Sequence, residues 1–381
     1  IAKIFGESFV EDINFQCNPT FDENLNIIPK VHNINLSHLP EGFIPSQSRP
    51  FFYAYNKEFD KEIKEDQTYL KFLSNNHKNF FLDLESTYKN IDINHQRKQI
   101  IFKSGTYKFE QNIVFPEGYE AVIQPGTNFF LTEGVSILFQ GSFSAIGTRK
   151  NPITVKRFGI KNFGTFAISA INDKDSSVAL SYFNIEGGSE AFIKGIQFLG
   201  QLSIYHVTNV KLDNITVSRS ISDDGLNVKN AYVEITNSSF EGNNFDQVDL
   251  DYCEGFVRHS NFVNNLDLSL VGGDGLDLSG SNLEVSNNLF SNFRDKGISI
   301  GEKTNVKIKN NLIKNNASGI AVKDGSAAYI YKNDFIKNEV DITSYTKKKF
   351  YIAPSLHLSK DNLNLNIILA NNSKMYDIDP T

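Results

Sequence analysis

Residues 224–228 read DGLNV, 246–250 DQVDL, 274–278 DGLDL, 296–300 KGISI and 318–322 SGIAV. The second residue of each window (Gly225, Gln247, Gly275, Gly297, Gly319) recurs after 22, 28, 22 and 22 residues. A later beat keeps the same rhythm: Phe240, Phe262, Phe290, Ile313 and Phe335. Two or three short alternating runs per fixed period are the pattern of a solenoid, in which each turn buries its apolar side against its neighbours. The apolar pairs Leu226/Val228, Val248/Leu250, Leu276/Leu278, Ile298/Ile300 and Ile320/Val322 then point inward, and the residue between each pair faces out. That outward column reads Asn227, Asp249, Asp277, Ser299, Ala321. A second column, at the turn into each strand, reads Asp224, Asp246, Asp274, Lys296, Ser318.

On either side of these windows the pattern changes. Residues 1–98 show no repeat. Pro19, Pro29, Pro40, Pro45 and Pro50 cut the first fifty residues into short extended pieces. Phe59, Ile63, Leu70 and Leu73 fall at roughly helical spacing behind Asn56, a candidate N-cap, which predicts a helix from Asn56 to about Ser74. The region reads as an irregular, partly helical cap over the exposed solenoid end. From Gln99 the chain is β-rich throughout, and the stack continues less regularly over 155–222. Past 345, TKKKFYIAPSLHL reads as a break, DNLNLNIILANNS as closing strands, and Asp377–Thr381 as a loose tail.

The run from Pro116-Glu117-Gly118 through Gln124-Pro125-Gly126-Thr127 to Gly141, Ala145-Ile146-Gly147-Thr148 and Asn151-Pro152-Ile153-Thr154 resembles the opening coils of right-handed parallel β-helix proteins. The repeats after Asp224, with their Asn-x-x-Phe beats, are similar to the same pectin-lyase-like superfamily, over roughly 99–345. The resemblance implies an all-β fold: a right-handed, single-stranded parallel β-helix, with residues 1–98 as cap, 99–345 as β-helix and 346–381 as closing strands and tail. It implies no single function, because the superfamily holds lyases, hydrolases, epimerases, tailspikes, adhesins and inert modules.

Adjacent coils of a parallel sheet lie ~4.8 Å apart, so the columns stack Asp224, Asp246, Asp249, Asp274 and Asp277 on one face. Asp223 and Asp251 flank them, and Asp295 and Lys296 sit on the next coil. Stacked like charges repel, and Asp has no propensity for strands. A hard divalent cation such as Ca²⁺, bound by Asp224, Asp246, Asp249, Asp274 and Asp277, is one remedy. Neutralisation by Lys296 or Arg294 is another. Raised carboxyl pKa values, which make general acids, are a third. A solvated acidic face with Asp side chains capping turn amides stays open beside these. The six extra residues of the 28-residue spacing lie in NNLDLSLVGG, which is expected to lean over the columns as a groove wall.

In lyases of the superfamily an Arg or Lys takes the sugar proton while Ca²⁺ holds the uronate. The resemblance therefore makes Lys296, with Arg294, a catalytic candidate; the columns add Asp249, Asp274 and Asp277, with Asp223, Asn227, Asp251, Tyr252 and Asp295 as ligand contacts. The motif set of polygalacturonase-type hydrolases is missing as a group. His259, in line with Asn237, Asn287 and Asn310, and His206 beside Tyr205 read as surface residues. Asn288, Asn311 and Asn333, with Ser238 and Ser260, and the set Asn243, Asn265, Asn316 and Asn338 read as turn ladders. Phe245, Tyr252 and Phe293 are candidate sugar-stacking rings.

The chain has 381 residues, 44 acidic against 38 basic, and a net charge of −6. That balance argues against a nucleic-acid partner and suits metal ions or glycans. Cys17 and Cys253 have no metal-ligand spacing, and Cys253 reads as a small apolar residue. No apolar run spans a membrane. Opening on Ile1 suggests a trimmed product or part of a larger polypeptide or surface assembly. Two readings follow. One is a secreted, periplasmic or cell-surface polysaccharide-binding β-helix working as a lyase, epimerase or glycoside hydrolase. The other is a non-catalytic structural or adhesive module.

Overall fold

The computed structural model describes residues 77–381 except 172, 266–271, 360–364, 371 and 379–381, together with four two-residue strands before residue 77. The chain divides into two compact units, 1–76 and 77–381. In the first, Thr20–Phe21 pairs antiparallel with Ile27–Ile28, and Ile44–Pro45 with Phe52–Tyr53. The helix expected over 56–74 lies outside the described residues.

The second unit opens with a helix, His77–Thr87, and a strand, Ile91–Asn94, in a stretch read from the sequence as cap. Phe81 and Leu84 sit three apart on one helix face and are buried. The Phe80 ring meets Phe115 at 5.7 Å, and Phe81 meets Tyr119 at 4.7 Å. The helix thereby closes the first coil of the solenoid. Each of the two buried side chains contributes about 1.5–3 kcal/mol.

Three parallel sheets run the length of the solenoid. Sheet I has eleven strands, from Ile113–Val114 to Ile367–Leu369. Sheet II has thirteen, beginning with Ile91–Asn94 and ending with Lys374–Ile378. Sheet III has ten, from Gly105–Phe109 to Asp334–Ile336. One coil supplies one strand to each: Asp224–Lys229 to sheet I, Tyr232–Thr236 to sheet II, Ser239–Glu241 to sheet III. The only antiparallel member of these sheets is Ile91–Asn94 against Gln99–Phe102, a reversal that ends the stack. The 22-residue rhythm is therefore a coil repeat. Phe240, Phe262, Phe290, Ile313 and Phe335 lie in register on sheet III, and the first three rings stack at 5.0 and 4.6 Å.

The inward pairs expected on sheet I are all fully buried. Between sheets II and III the chain turns through a left-handed residue on coil after coil: Asn214, Asn237, His259, Asn287, Asn310 and Lys332, with φ from 52° to 58°. Asn accepts that conformation more readily than other L-residues. His259 is thus a turn residue, exposed as expected, one position beyond its strand Glu254–Arg258. The next position carries the ladder. Asn311 Oδ1 accepts from the backbone and side-chain amides of Asn288, and Asn333 Oδ1 accepts both from Asn311. Asn243, Asn316 and Asn338 are likewise bonded within the stack, whereas Asn265 is exposed and reaches only Glu241. Cys253 is buried, its thiol pushed up to about 12 by burial.

Two segments depart from the expected course. Residues 191–198 leave the stack as an antiparallel hairpin, Ala191–Ile193 with Ile196–Phe198. The stretch read as a break and the start of the tail instead add strands: Ser355–Ser359 and Lys374–Ile378 extend sheet II, so Asp377 is in a strand, while Ile367–Leu369, within the stretch expected as closing strands, extends sheet I. No helix among the described residues is long and apolar enough to cross a membrane.

Candidate functional site

Sheet I registers the two predicted columns. Asn227, Asp249, Asp277, Ser299 and Ala321 are consecutive Cα partners across five strands, and Asp224 pairs with Asp246 as Lys296 does with Ser318. Asp274 completes the turn column through the hydrogen bonds on either side of it. Its backbone amide donates to Asp246 Oδ1 (2.6 Å), and its own Oδ1 accepts from the amide of Lys296 (3.0 Å). These aspartates do what turn aspartates do, capping amides, but across coils rather than within one.

Capping leaves oxygens unused. One ligand oxygen each from Asp246, Asp274 and Asp277 lies within 4.8 Å of the others. Asp224 Oδ2, Asp249 Oδ1 and Asp277 Oδ1 are buried with no hydrogen-bond partner. An orphaned buried oxygen costs about 1–3 kcal/mol, more when charged, so three together call for a proton or a cation. In the metal-free chain protons supply part of the answer. Burial, then the charges of Asp249 and Asp246, hold the Asp224 carboxyl well above the usual range. Burial with Asp274 and Asp277 does the same for Asp246, and burial with Asp251 and Asp277 for Asp249. Asp274 is raised by burial to about 6 although Lys296 opposes the shift.

The cations are interleaved with the acids. Lys296 Nζ lies 3.2 Å from Asp274 Oδ1 and 2.5 Å from Asp295 Oδ2. Burial would depress its pKa, but the two carboxylates outweigh burial and raise it. Lys296 is therefore held protonated, which suits a charge clamp and not a base. Lys229 pairs with Asp251 in the same way. Arg294, Asp223 and Asp295 are exposed at the edge of the cluster.

Some expected contacts are placed differently. Asn227 is fully buried. Its amide nitrogen donates to Asp249 Oδ2 at 2.8 Å, and its oxygen accepts from the Tyr205 hydroxyl, so both ends of the amide are already bonded. Phe198 of the hairpin stacks on Tyr205 at 4.9 Å and closes the groove at that end. Ser299 and Ala321, though outward in register, are also covered. Phe293 is core, not a stacking ring. Phe245 and Tyr252 are exposed, by 47% and 59%, and stand at opposite ends of the strand Asp246–Asp251. The acidic floor thus has an aromatic ring on each side. The insertion expected as a wall lies mostly in 266–271, outside the described residues.

One cation was missed. Lys323, buried, donates from Nζ to Ser299 Oγ at 2.7 Å, two coils from Asp277 by sequence and one by that reach. Its signal was in the repeat: Lys229, Asp251, Ser279 and Gly301 precede it at the same strand position.

Residues 200–355, the coils that carry these columns, match the family model described as right handed beta helix region. The chain is a right-handed parallel β-helix. No curated protein matches its sequence. Among solved structures, a periplasmic alginate epimerase is similar over 78% of this chain and 82% of its own, at 12% identity and a TM-score of 0.46. A tailspike protein 2 of an Escherichia coli bacteriophage is similar over 73% of this chain, which spans 42% of that one, at 14% identity and a TM-score of 0.44. An alginate lyase from Paenibacillus is similar over 67% of this chain and 92% of its own, at 13% identity and a TM-score of 0.28. At these scores none carries an activity over to this chain.

Proposed function

We propose that the outer face of sheet I binds a uronate-bearing polysaccharide across a divalent cation, Ca²⁺ by preference, held by Asp246, Asp274 and Asp277. The observation that carries this reading is the meeting of the three carboxylates within 4.8 Å. Ca²⁺ bonds to oxygen at 2.3–2.6 Å, so two oxygens on one ion lie no more than ~5 Å apart. The orphaned oxygens of Asp249 and Asp277 give the ion a reason to be there. A sugar carboxylate would complete its shell. Lys296 and Lys323 would offset the added charge, and Phe245 and Tyr252 would flank the sugar rings.

If the site is catalytic, its class is lyase or epimerase. Lys296 then acts as the clamp on the uronate charge. Such a protein belongs in a secreted, periplasmic or cell-surface setting, where polysaccharide and free Ca²⁺ occur together. A second reading, a non-catalytic module stiffened by the same cation, draws on the ion pairs Lys229–Asp251 and Lys296–Asp274, which already satisfy part of the face.

The test is calorimetric titration of uronate hexasaccharides into the wild type and Asp277→Asn, with Ca²⁺ and with EDTA. Binding that needs Ca²⁺ and is lost in the variant is expected. Binding indifferent to EDTA would remove the cation from the site. Ca²⁺ binding without any sugar binding would leave the stiffened module.

A further inference from the structure

A different face of the solenoid carries the second site. On the outside of sheet II, Tyr232, Glu254, Asn282 and Asn305 are register partners in one row, and Phe256, Glu284 and Lys307 in the next. Gly255 lies between these rows, in register with the buried Val233 and Leu283. Its backbone sits at φ 122°, and a Cβ there would lie 2.0 Å from the carbonyl oxygen of Val233. Only glycine fits such a close approach. A hollow of about 310 Å³ lies here, lined by Gly255 and Leu283 with the polar row around it. That volume is at the small end for ligand pockets.

The chemistry around the hollow is specific. The ladder asparagines 288, 311 and 333 spend their amides on one another and on backbone carbonyls. Asn282 and Asn305, neighbours across adjacent coils, are exposed, and among the described residues their side chains bond to nothing. Glu284 is not free. Arg258 (3.0 Å) and Lys309 (2.9 Å) hold it. What remains is one carboxylate, Glu254, one ammonium, Lys307, two open amides and the 43%-exposed ring of Tyr232. Glu254 and Lys307 offset one another, and the site adds several hydrogen-bonding groups at coil spacing and one amphipathic ring. Tyr329, His357 and Tyr376, farther along the same face, stack on each other at 4.4 and 4.9 Å, which takes both faces of His357 and one face of each tyrosine. Tyr232 is the platform.

We propose that this hollow on sheet II is a subsite for a neutral oligosaccharide. A sugar ring lies over Gly255 and Leu283 with its apolar face on Tyr232, and its hydroxyls bond to Asn282, Asn305 and Glu254. An anionic ligand would have to sit beside the Glu254 and Glu284 carboxylates, and a purely apolar one would strand the two amides and Glu254. This assignment is independent of the acidic face on sheet I. A chain carrying both would hold a polysaccharide at two places on its girth.

The experiment is saturation-transfer NMR and calorimetry with cellohexaose, mannohexaose and maltohexaose, all in EDTA so that sheet I is silent. The proteins are the wild type, Asp277→Asn, Tyr232→Ala and Asn305→Ala. Both hollow variants change exposed side chains and leave the coil intact, whereas Gly255→Ala would disturb the backbone and is not used. At least one neutral hexasaccharide is expected to bind the wild type and Asp277→Asn equally, and to bind Tyr232→Ala and Asn305→Ala at least about tenfold more weakly, which is about 1.4 kcal/mol. No binding by any of the three sugars overturns the assignment, as does binding that survives Tyr232→Ala and Asn305→Ala, or binding that is lost in Asp277→Asn.

Discussion

Asp246 reaches across one coil to accept the backbone amide of Asp274 at 2.6 Å, and Asp274 passes the same contact on to the amide of Lys296. The first of these bonds spans the place where the repeat lengthens from 22 to 28 residues. The aspartate column is thus a row of staples that holds register where the chain is least regular. The Asp246 staple uses Oδ1, whereas Asp274 uses Oδ1 for the amide and both oxygens for the Lys296 ammonium. Structure and function share the same side chains here, so removing any one of them tests both.

Ca²⁺ should stabilise the wild type. A ligand that binds only the folded state adds about 2.7 kcal/mol at ~100 times its dissociation constant. A thermal melt in excess Ca²⁺ should therefore shift upward relative to EDTA, and Asp277→Asn should abolish the shift. Asp277 is the informative choice because its Oδ1 bonds to no other group. Its loss removes a ligand without removing a staple.

Without metal, stability should fall as pH rises through the weakly acidic range. The folded value of Asp274, about 6, lies above the ordinary 3.8. Between the two the folded chain holds more protons than the unfolded one, and stability declines with pH. Its contribution is complete below about 3.8 and lost as pH passes about 6. Asp224, Asp246 and Asp249 are displaced in the same direction. Urea midpoints measured across this range in EDTA should show the decline in the wild type and a shallower one in Asp274→Asn. A wild-type profile that rises instead would refute the assigned direction.

Lys296→Met should destabilise by about 2–3 kcal/mol at mildly alkaline pH, because it leaves a buried Asp274 carboxylate without its cation. At mildly acidic pH, Asp274 can take up a proton and the penalty should shrink. Denaturant melts at the two pH values read the difference directly.

Asn311→Ala should cost about 1–3 kcal/mol, since it orphans the backbone amide of Asn288 and takes the Asn311 side-chain donor from the carbonyl of Val285 in a buried turn. His259→Asn is expected to act in the opposite sense. His259 holds φ 53° at a position where Asn237, Asn287 and Asn310 stand on other coils, and the exchange should stabilise by about 0.5 kcal/mol. Equal melting temperatures for His259→Asn and the wild type would show that the turn carries no strain there.

The candidate site was partly visible before folding. The alternation of DQVDL and DGLDL obliges Asp249 and Asp277 to share a face, because a slip of one residue would turn Val248 and Leu250 outward. The equal spacing of the windows obliges them to be neighbours. What alternation does not specify is what lies over an outward residue. Asn227 points away from the core and is nonetheless covered by Tyr205, which the 191–198 hairpin holds in place through Phe198. Phe293 was read as a groove ring and turned out to be core, because the turn after sheet III takes it inward. Lys323 joined the site by the length of its side chain, which carries the ammonium back one coil to Ser299.

The sequence by itself determined the period, the inward face, the asparagine ladder and the two acidic columns, since each follows from a repeat that one coil imposes on the next. The tertiary structure alone decided which carboxylate oxygens are capped and which are orphaned, that Lys296 is held protonated, and that a hollow lies on sheet II. Those depend on distances of a few ångströms between side chains more than twenty residues apart, and on how far burial strengthens the charges among them. A linear pattern carries neither quantity.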